Sequence, residues 1–406
     1  MQKRFLLLQG VSSPFFARLA DRLISAGYPV FKVNFNCGDF AYWLPRSAWN
    51  FRATVSELPE WLTAKFELHA FTDVVLFGDR RPIHVSAIAC AKQFGATVHV
   101  FEEGYFRPDW VTLERGGVNR YSALPRDPDW YLRHASHVPE QTHQLVHTPL
   151  SVRAAHDISY HLANIGNFIA YPGYRTHRPY NAVIEYAGLA RRFALLGFHE
   201  RKDKIICERL LHEGKPFFML PLQLDSDAQI RDFSAFSGML EVIDSVVKSF
   251  ARAAPHEAHL LIKNHPLDTG FVDYANAIAQ LARTCGIDGR VHFIETGDAN
   301  PLLQHTSGVV LVNSTVGTAA LEAGRPIKTL ADPIYNLAGL TFQGDLDDFW
   351  KHGEPPEPAL MAAFRKMVMY ATLVNGGFYT KPGMELAAQG ALTRLTSAKS
   401  PIEELL

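Results

Sequence analysis

Paired cysteines are missing. Cys37, Cys90, Cys207 and Cys285 lie far apart in 406 residues and form no CxxC pair. This excludes a zinc ribbon and a disulfide framework, and matches a reducing cytoplasm. Charge of one sign is lacking too: 40 Lys and Arg stand against 41 Asp and Glu, a formal net charge of −1. With no global basic field, nucleic acid is not an expected partner, and any anion site must be local. No apolar run approaches ~20 residues, so no membrane-spanning helix is expected. The run Phe5-Leu6-Leu7-Leu8 after Lys3-Arg4 is too short for a signal-peptide core, and no small-residue cleavage site follows. It reads as a first strand. GxGxxG spacing is absent, so a dinucleotide site is not supported. A GxSxG elbow and an HExxH pair are absent as well, which argues against a serine hydrolase and a zincin.

What is present is an alternation of short apolar runs with amphipathic stretches. Phe5 to Leu8 is followed by the turn Gln9-Gly10-Val11-Ser12-Ser13-Pro14 and a helix pattern from Phe15 to Ala26, closed by Gly27. Strand patterns recur at Tyr28–Val33, Val74–Phe77 and Thr97–Phe101, with a helix pattern at His84–Phe94. This predicts a parallel, doubly wound sheet for the first half. The pattern weakens from Arg107 to Leu150. Residues 151–204 look helical and are expected to connect two domains.

A new α/β series starts at Gly214-Lys215-Pro216. Strands are expected at Phe217–Leu220, His259–Ile262, Val291–Ile294, Val309–Val312 and Ile327–Leu330. Helices are expected at Ala235–Ala253, Phe271–Thr284 and Thr315–Ala323. The expected organisation is an N-terminal Rossmann-like domain over 1–204, a second over 205–340, and a helical segment over 341–406 that packs back. Two such domains facing a central cleft describe a GT-B-like α/β fold, whose ligands sit in that cleft.

Two stretches carry chemistry in the second series. Leu260-Leu261-Ile262 runs into Lys263-Asn264-His265-Pro266, the grammar of a buried parallel strand ending at the carboxyl edge of a sheet. In open α/β sheets ligands sit at that edge. Val309 to Val312 repeats the design and ends in Asn313-Ser314-Thr315 before a helix. Backbone N–H groups and hydroxyls at a helix start form a phosphate cradle. Each stretch alone also reads as an ordinary turn or N-cap. In the first series, Glu102-Glu103-Gly104 ends a strand with two carboxylates.

Acidic pair-Gly, His-Pro and Ser/Thr in this order resemble the signature of GT-B transferases that use CMP-activated ulosonic or nonulosonic acids. More closely, Leu7-Leu8-Gln9-Gly10, Val33-Asn34-Phe35-Asn36, Gly38-Asp39, Glu102-Glu103-Gly104-Tyr105, Pro221-Leu222-Gln223 and Val312-Asn313-Ser314-Thr315-Val316-Gly317 resemble the bacterial capsule polysaccharide synthesis family. The resemblance covers about residues 4 to 340. It implies a retaining transferase that moves Kdo from CMP-Kdo onto a (lyso)phosphatidylglycerol lipid and so starts the poly-β-Kdo linker of a capsule. CMP-Kdo is then a donor substrate, and no cofactor or metal is expected. The implied partners are an anionic glycerophospholipid, the membrane surface, and other capsule synthesis and export proteins. The implied location is cytoplasmic, peripheral on the inner face of the cytoplasmic membrane.

Double displacement needs a carboxylate that attacks the anomeric carbon. Adjacent residues on an extended chain point to opposite sides, so one of Glu102 and Glu103 faces the sugar. Glu103, beside Gly104, is favoured; relatives often carry Asp there, which leaves the choice open. His265 would meet the CMP phosphate and, if protonated, assist departure. Lys263 would stabilise the same charge, with Asn264 and Pro266 shaping the turn. Ser314 and Thr315 would hold the phosphate, Asn313 would orient their loop, and Gln223 would rim the donor site; Glu322 reads either as an acceptor from the ribose or as an ordinary solvated helix residue. Gln9, Gly10, Ser12, Asn34, Asn36 and Asp39 form the expected acceptor side, although such residues dominate turns regardless of function. Arg175 and Arg178, with His177, Arg191, Arg192, Tyr171, Tyr174 and Phe168, read either as a face that meets an anionic lipid surface or as an ordinary solvated helical face. Asp225-Ser226-Asp227 spells DxD but sits in the wrong context for a metal-dependent transferase.

Two other readings remain open. One is another GT-B transferase, extending the Kdo linker or moving sialic acid. The other is a non-catalytic capsule-assembly partner.

Overall fold

The computed structural model describes residues 2–176, 182–212, 214–224, 230 and 234–406. It divides into two compact units. The first comprises Met1–Pro125, His134–His177 and Arg365–Leu406; the second comprises Arg126–Arg133 and Arg178–Phe364.

In chain order the strands are β1 (Phe5–Leu7), β2 (Val30–Asn34), β3 (Trp49–Asn50), β4 (Asp73–Phe77), β5 (Thr97–Glu103), β6 (Trp110–Arg115), β7 (Phe217–Pro221), β8 (His259–Lys263), β9 (Val291–Ile294), β10 (Gly308–Leu311), β11 (Ile327–Thr329) and β12 (Leu373–Asn375). The first unit holds a seven-stranded sheet in the order β12-β6-β5-β4-β1-β2-β3. Its side chains alternate between two cores. Phe5 and Leu7 pack with Phe15, Leu19 and Leu23 on one face, whereas Leu6 and Leu8 pack with Leu58, Leu62 and Phe66 on the other. Burial on both faces is why β1 and β4 read as continuous apolar runs.

The parallel expectation for this half needs correction at its edge. β6 runs antiparallel to β5, with Glu103 opposite Val111, and β12 runs antiparallel to β6. An antiparallel neighbour needs only a short connection, whereas a parallel one needs a crossover. Residues 104–109 are too few for a crossover, so the chain turns back. Glu102 and Glu103 therefore lie within β5, paired on one side with β6.

The C-terminal stretch 365–406 belongs to this unit. Helix Lys381–Thr396 lays Ala387, Ala388 and Ala391 into the core shared with helix Phe15–Ser25. Its small side chains allow close approach, and Arg18 and Arg22 both pair with Glu385 at the rim.

The second unit holds a parallel five-stranded sheet, order β11-β10-β7-β8-β9. Helix Met239–Ala253 buries Val242, Ile243, Val246, Val247 and Phe250 against Phe218, Leu220, Leu260 and Ile262. The helical stretch expected to connect the domains is divided. Helix Leu150–Ala163 belongs to the first unit and helix Ala182–His212 to the second.

Both sheets have a topological switch point, where ligands bind in open α/β sheets. In the first it lies between β1 and β4, and in the second between β7 and β10.

Candidate functional site

In the first unit the switch point is bridged by side chains. Arg81 Nη1 donates to Gln9 Oε1 at 2.9 Å and to the Gly10 carbonyl at 3.0 Å, tying the end of β4 to the end of β1. Gly78, at φ +72°, makes the turn that carries Arg81 there.

Gln9 then enters a buried polar network with Asn36, Asp39 and Tyr160. The Tyr160 hydroxyl donates to Asp39 Oδ1 at 2.8 Å and accepts from Asn36 Nδ2 at 2.9 Å and Gln9 Nε2 at 3.1 Å. Asn36 caps helix Cys37–Trp43 by accepting from the Asp39 N–H, the pattern favoured at N-caps. Gly38 is required here: a Cβ would stand 2.6 Å from the Tyr160 ring. Burial, then the Asp39 charge, raises the Tyr160 pKa and keeps the hydroxyl a donor.

The two carboxylates at the end of β5 turn to different partners. Glu103 Oε1 lies 3.1 Å from Arg153 Nη2 and accepts from the Tyr379 hydroxyl at 3.2 Å. Arg153 also lies over the Tyr379 ring, 5.1 Å from its centroid. Burial works against the Arg153 charge, but Glu103 and Tyr379 outweigh it and its pKa stands raised. Glu102 faces the Gly78 turn, where a Cβ on Gly78 would lie 3.5 Å from its Oε2. Its Oε1 accepts from the Glu103 N–H at 3.0 Å. Burial raises the Glu102 pKa to about 7, with the neighbouring Glu103 charge adding to it and Arg81 and Arg107 opposing. One carboxylate is thus ion-paired and the other titrates near neutrality.

In the second unit Gln223 and Asn313 join across the switch point. Gln223 Nε2 donates to Asn313 Oδ1 at 2.8 Å, and the Asn313 N–H donates to Gln223 Oε1 at 3.2 Å. Ser314 Oγ accepts from the Val316 N–H at 3.2 Å, while Thr315, the N-cap, makes no side-chain cap bond. Tyr335 donates to the Ser314 carbonyl at 2.6 Å and lies so close over Gly317 that no Cβ fits there.

The His-Pro turn is held from behind. Arg192, on helix Ala182–His212, donates to the carbonyls of His265, Pro266 and Asp268 at 2.8, 3.2 and 2.9 Å. It also pairs with Glu295 at 3.0 Å. Asp203, from the same helix, accepts both the Glu295 and the Thr296 N–H at 2.9 Å. Asn264 donates to Glu295 and accepts the His265 N–H, each at 2.8 Å. His265 Nδ1 accepts the Leu267 N–H at 3.1 Å, which assigns the proton of the neutral ring to Nε2.

The expected donor residues therefore fall at the carboxyl ends of β7, β8 and β10. Lys263 is buried, and its electrostatic neighbours are Arg192, Asp298, Cys207 and Asp203; burial first, then Arg192, lowers its pKa. Glu322 is exposed on its helix. Of the expected acceptor residues, Gln9, Asn36 and Asp39 bond mainly one another, Asn34 donates to Asn50, Gly10 packs on Phe16, and Ser12 is half-buried. Arg175 is exposed and donates to the Pro172 and Tyr174 carbonyls. Two residues expected on a lipid surface are instead interior: Arg192 at the His-Pro turn, and Tyr171, which donates to Asn50. The carbonyls of His265, Pro266, Asp268 and Glu295 and the Glu295 carboxylate take the two Nη groups of Arg192, a set of acceptors that an open surface does not offer. His177, Arg178, Asp225 and Asp227 lie outside the described residues. Sequence reasoning passed over Arg81, Arg153, Tyr160, Asp203 and Tyr379, because each reaches its partner from a distant segment. Only Arg81, just past the end of β4, carried a positional signal.

The family model for capsule polysaccharide biosynthesis proteins matches residues 72–379. The chain belongs to the capsule polysaccharide biosynthesis family. It is 34% identical over 378 residues to the capsule polysaccharide export protein KpsS of Escherichia coli, covering 93% of this chain and 97% of that one. It is 35% identical over 387 residues to the capsule polysaccharide modification protein LipB of Neisseria meningitidis serogroup A, covering 93% and 92%. Among solved structures, a Thermosulfurimonas dismutans KpsC described as a beta Kdo 2,7 transferase aligns with a TM-score of 0.45 at 13% identity, over 97% of this chain and 98% of that one. The matched region runs from β4 through β12, so it takes in the whole sheet of the second unit and, in the first unit, the β4 side of the switch point but not β1. No helix among the described residues is long and apolar enough to cross a membrane.

Proposed function

We propose that this family member is a retaining Kdo transferase that uses CMP-Kdo and a (lyso)phosphatidylglycerol acceptor to begin a capsule linker. The observation that carries it is the Glu103–Arg153–Tyr379 group: an ion-paired carboxylate at the end of a strand, beside a switch point, in a capsule-biosynthesis chain. In the first step a Glu103 oxygen bonds to the anomeric carbon as the bond to the CMP phosphate oxygen breaks, and CMP departs with that electron pair. In the second step the lipid hydroxyl oxygen replaces Glu103 at that carbon and its proton passes to a base. Two inversions return the starting configuration.

The second unit supplies the donor contacts. The Ser314–Thr315 turn with its helix N–H groups, and the Nε2–H of a neutral His265, offer donors to the phosphate. His265 acts as a hydrogen-bond donor in this mechanism, because protonating Nδ1 would break its bond with Leu267. The reaction as proposed uses no resident metal, and the protein works at the inner face of the cytoplasmic membrane beside other capsule proteins.

The test is a transfer assay with purified protein, CMP-Kdo and short-chain phosphatidylglycerol, read by mass spectrometry. One Kdo added, and lost in Glu103→Gln and His265→Ala, supports the proposal. Addition only to an already Kdo-bearing lipid would make the chain an extender. Capsule formation that survives Glu103→Gln with Glu102→Gln would make it a non-catalytic partner.

A further inference from the structure

Helix Leu150–Ala163 and the turns that follow it have their polarity inside out. One stripe, Arg153, His156, Tyr160, Asn164 and Asn167, faces the first unit. Arg153 pairs with Glu103, His156 bonds Tyr42 and the Tyr379 carbonyl, and Tyr160 bonds Asp39. Asn164 and Asn167 accept the Gly38 and Cys37 N–H groups at 2.8 Å each. The opposite stripe, Ile158, Leu162, Ile165, Phe168 and Ile169, is more than half exposed throughout, and Phe168 and Ile169 reach 75%. Leu162 follows Ile158 by four residues, Ile165 follows Leu162 by three, and Phe168 and Ile169 follow Ile165 by three and four, which keeps this stripe on one face. A surface helix ordinarily buries its apolar stripe and exposes its polar one. A contiguous exposed apolar stripe of this kind marks an interaction site.

We infer that this face docks on an anionic lipid bilayer, which deepens, and rests on, the lipid-acceptor reading above. Charge selects that occupant. From Ile158 to Thr176 the sequence has no Asp or Glu. The turn after the stripe ends in exposed Arg175, and it is tied by the Gly173 N–H, at 3.1 Å, to the carbonyl of exposed Arg52. Apolar side chains enter the headgroup boundary while the arginines stay level with the phosphates. A second copy of this chain would instead meet the same acid-free, arginine-flanked face on itself across a twofold axis. Docking has a consequence for the chemistry. The helix that lies on the bilayer is the one whose inner stripe holds Glu103 and Asp39, so the membrane surface is registered to the carboxylate through that one helix.

The experiment uses the full chain with vesicles of phosphatidylcholine alone and of phosphatidylcholine mixed with phosphatidylglycerol, read by flotation. The variant Ile165→Asp with Ile169→Asp changes exposed side chains only, and unchanged thermal unfolding checks its fold. The unmodified protein is expected to float with the anionic vesicles, and the variant to lose at least about tenfold of that partition. Transfer to vesicle-embedded phosphatidylglycerol should fall in parallel, while transfer to a soluble short-chain acceptor stays unchanged. Equal flotation of variant and unmodified protein overturns the proposal, as does equal partition into the neutral vesicles. A solution dimer that the variant dissolves, without loss of flotation, assigns the face to a second copy instead. If neither acceptor is glycosylated, the transferase reading fails, and flotation still decides the docking surface.

Discussion

Arg153 Nη2 lies 3.1 Å from Glu103 Oε1 although fifty residues of chain separate them. The arginine comes from a helix and the carboxylate from a strand, so the contact exists only in the folded unit. Tyr379, from the C-terminal segment, donates to the same oxygen. Three segments therefore fix one side chain.

That arrangement predicts a positioning role for Arg153. Arg153→Ala should lower kcat for transfer by about 100-fold, the cost of a misplaced reacting group, with little change in the KM for CMP-Kdo. Arg153→Lys should recover part of the loss, because charge returns without the guanidinium geometry. Steady-state kinetics on the three proteins check this.

Glu102 titrates at about 7, raised by burial. Below that pH it is largely neutral and above it a charge accumulates beside Glu103. The pH profile of transfer is expected to show an inflection near 7 that disappears in Glu102→Gln, and an inflection retained in that variant would rule Glu102 out as its source.

Glu114 gives a stability prediction with a definite sign. It is buried, accepts from Tyr105 at 2.7 Å and from Ser122, and burial raises its pKa from 4.5 to about 7. The folded state thus holds the proton more tightly than the unfolded one. Stability from this group is complete below pH 4.5 and is lost as pH rises through 7. The full span corresponds to about 3 kcal/mol. Glu114→Gln should therefore raise the Tm relative to the unmodified protein at pH 8, and the gap should close by pH 4.5 in thermal melts.

Arg192 holds the His-Pro turn. Arg192→Met leaves the carbonyls of His265, Pro266 and Asp268 without that donor and Glu295 without its ion pair. Losing this partly buried pair and its hydrogen bonds destabilises by about 2 kcal/mol. The expected outcome is a lower Tm together with a higher KM for CMP-Kdo, since the turn that presents His265 loosens.

Gly317 and Tyr335 should behave as a pair. Gly317→Ala places a methyl against the Tyr335 hydroxyl and is expected to destabilise by about 2 kcal/mol through overpacking. Replacing Tyr335 with Phe as well should relieve part of that clash, so a double-mutant cycle is expected to be non-additive.

The sequence by itself determined the strand cores and their edges. Leu260–Lys263 and Val309–Val312 are apolar over a strand's length because both faces are covered, and that pattern is local. It also placed His265, Asn313 and Ser314 at carboxyl ends, because a strand's end follows from where its apolar run stops. The antiparallel edge was less legible. Trp110-Val111-Thr112-Leu113 is a good strand, but its direction depends on a short connection and on β12, which arrives more than 250 residues later.

Only the tertiary structure decided what the side chains do. Arg192 and Arg175 are both arginines of the same region, yet one is buried among carbonyls and the other faces solvent. Residues 151–170 look like a polar connection in sequence because Arg, His, Tyr and Asn dominate the impression. Folding turns those polar groups inward to satisfy Glu103, Asp39 and the start of helix Cys37–Trp43, and leaves the apolar stripe outside. Which stripe of a helix is buried depends on what it meets, and buried carboxylates and backbone donors need partners more than a few isoleucines need cover. That choice belongs to the packing.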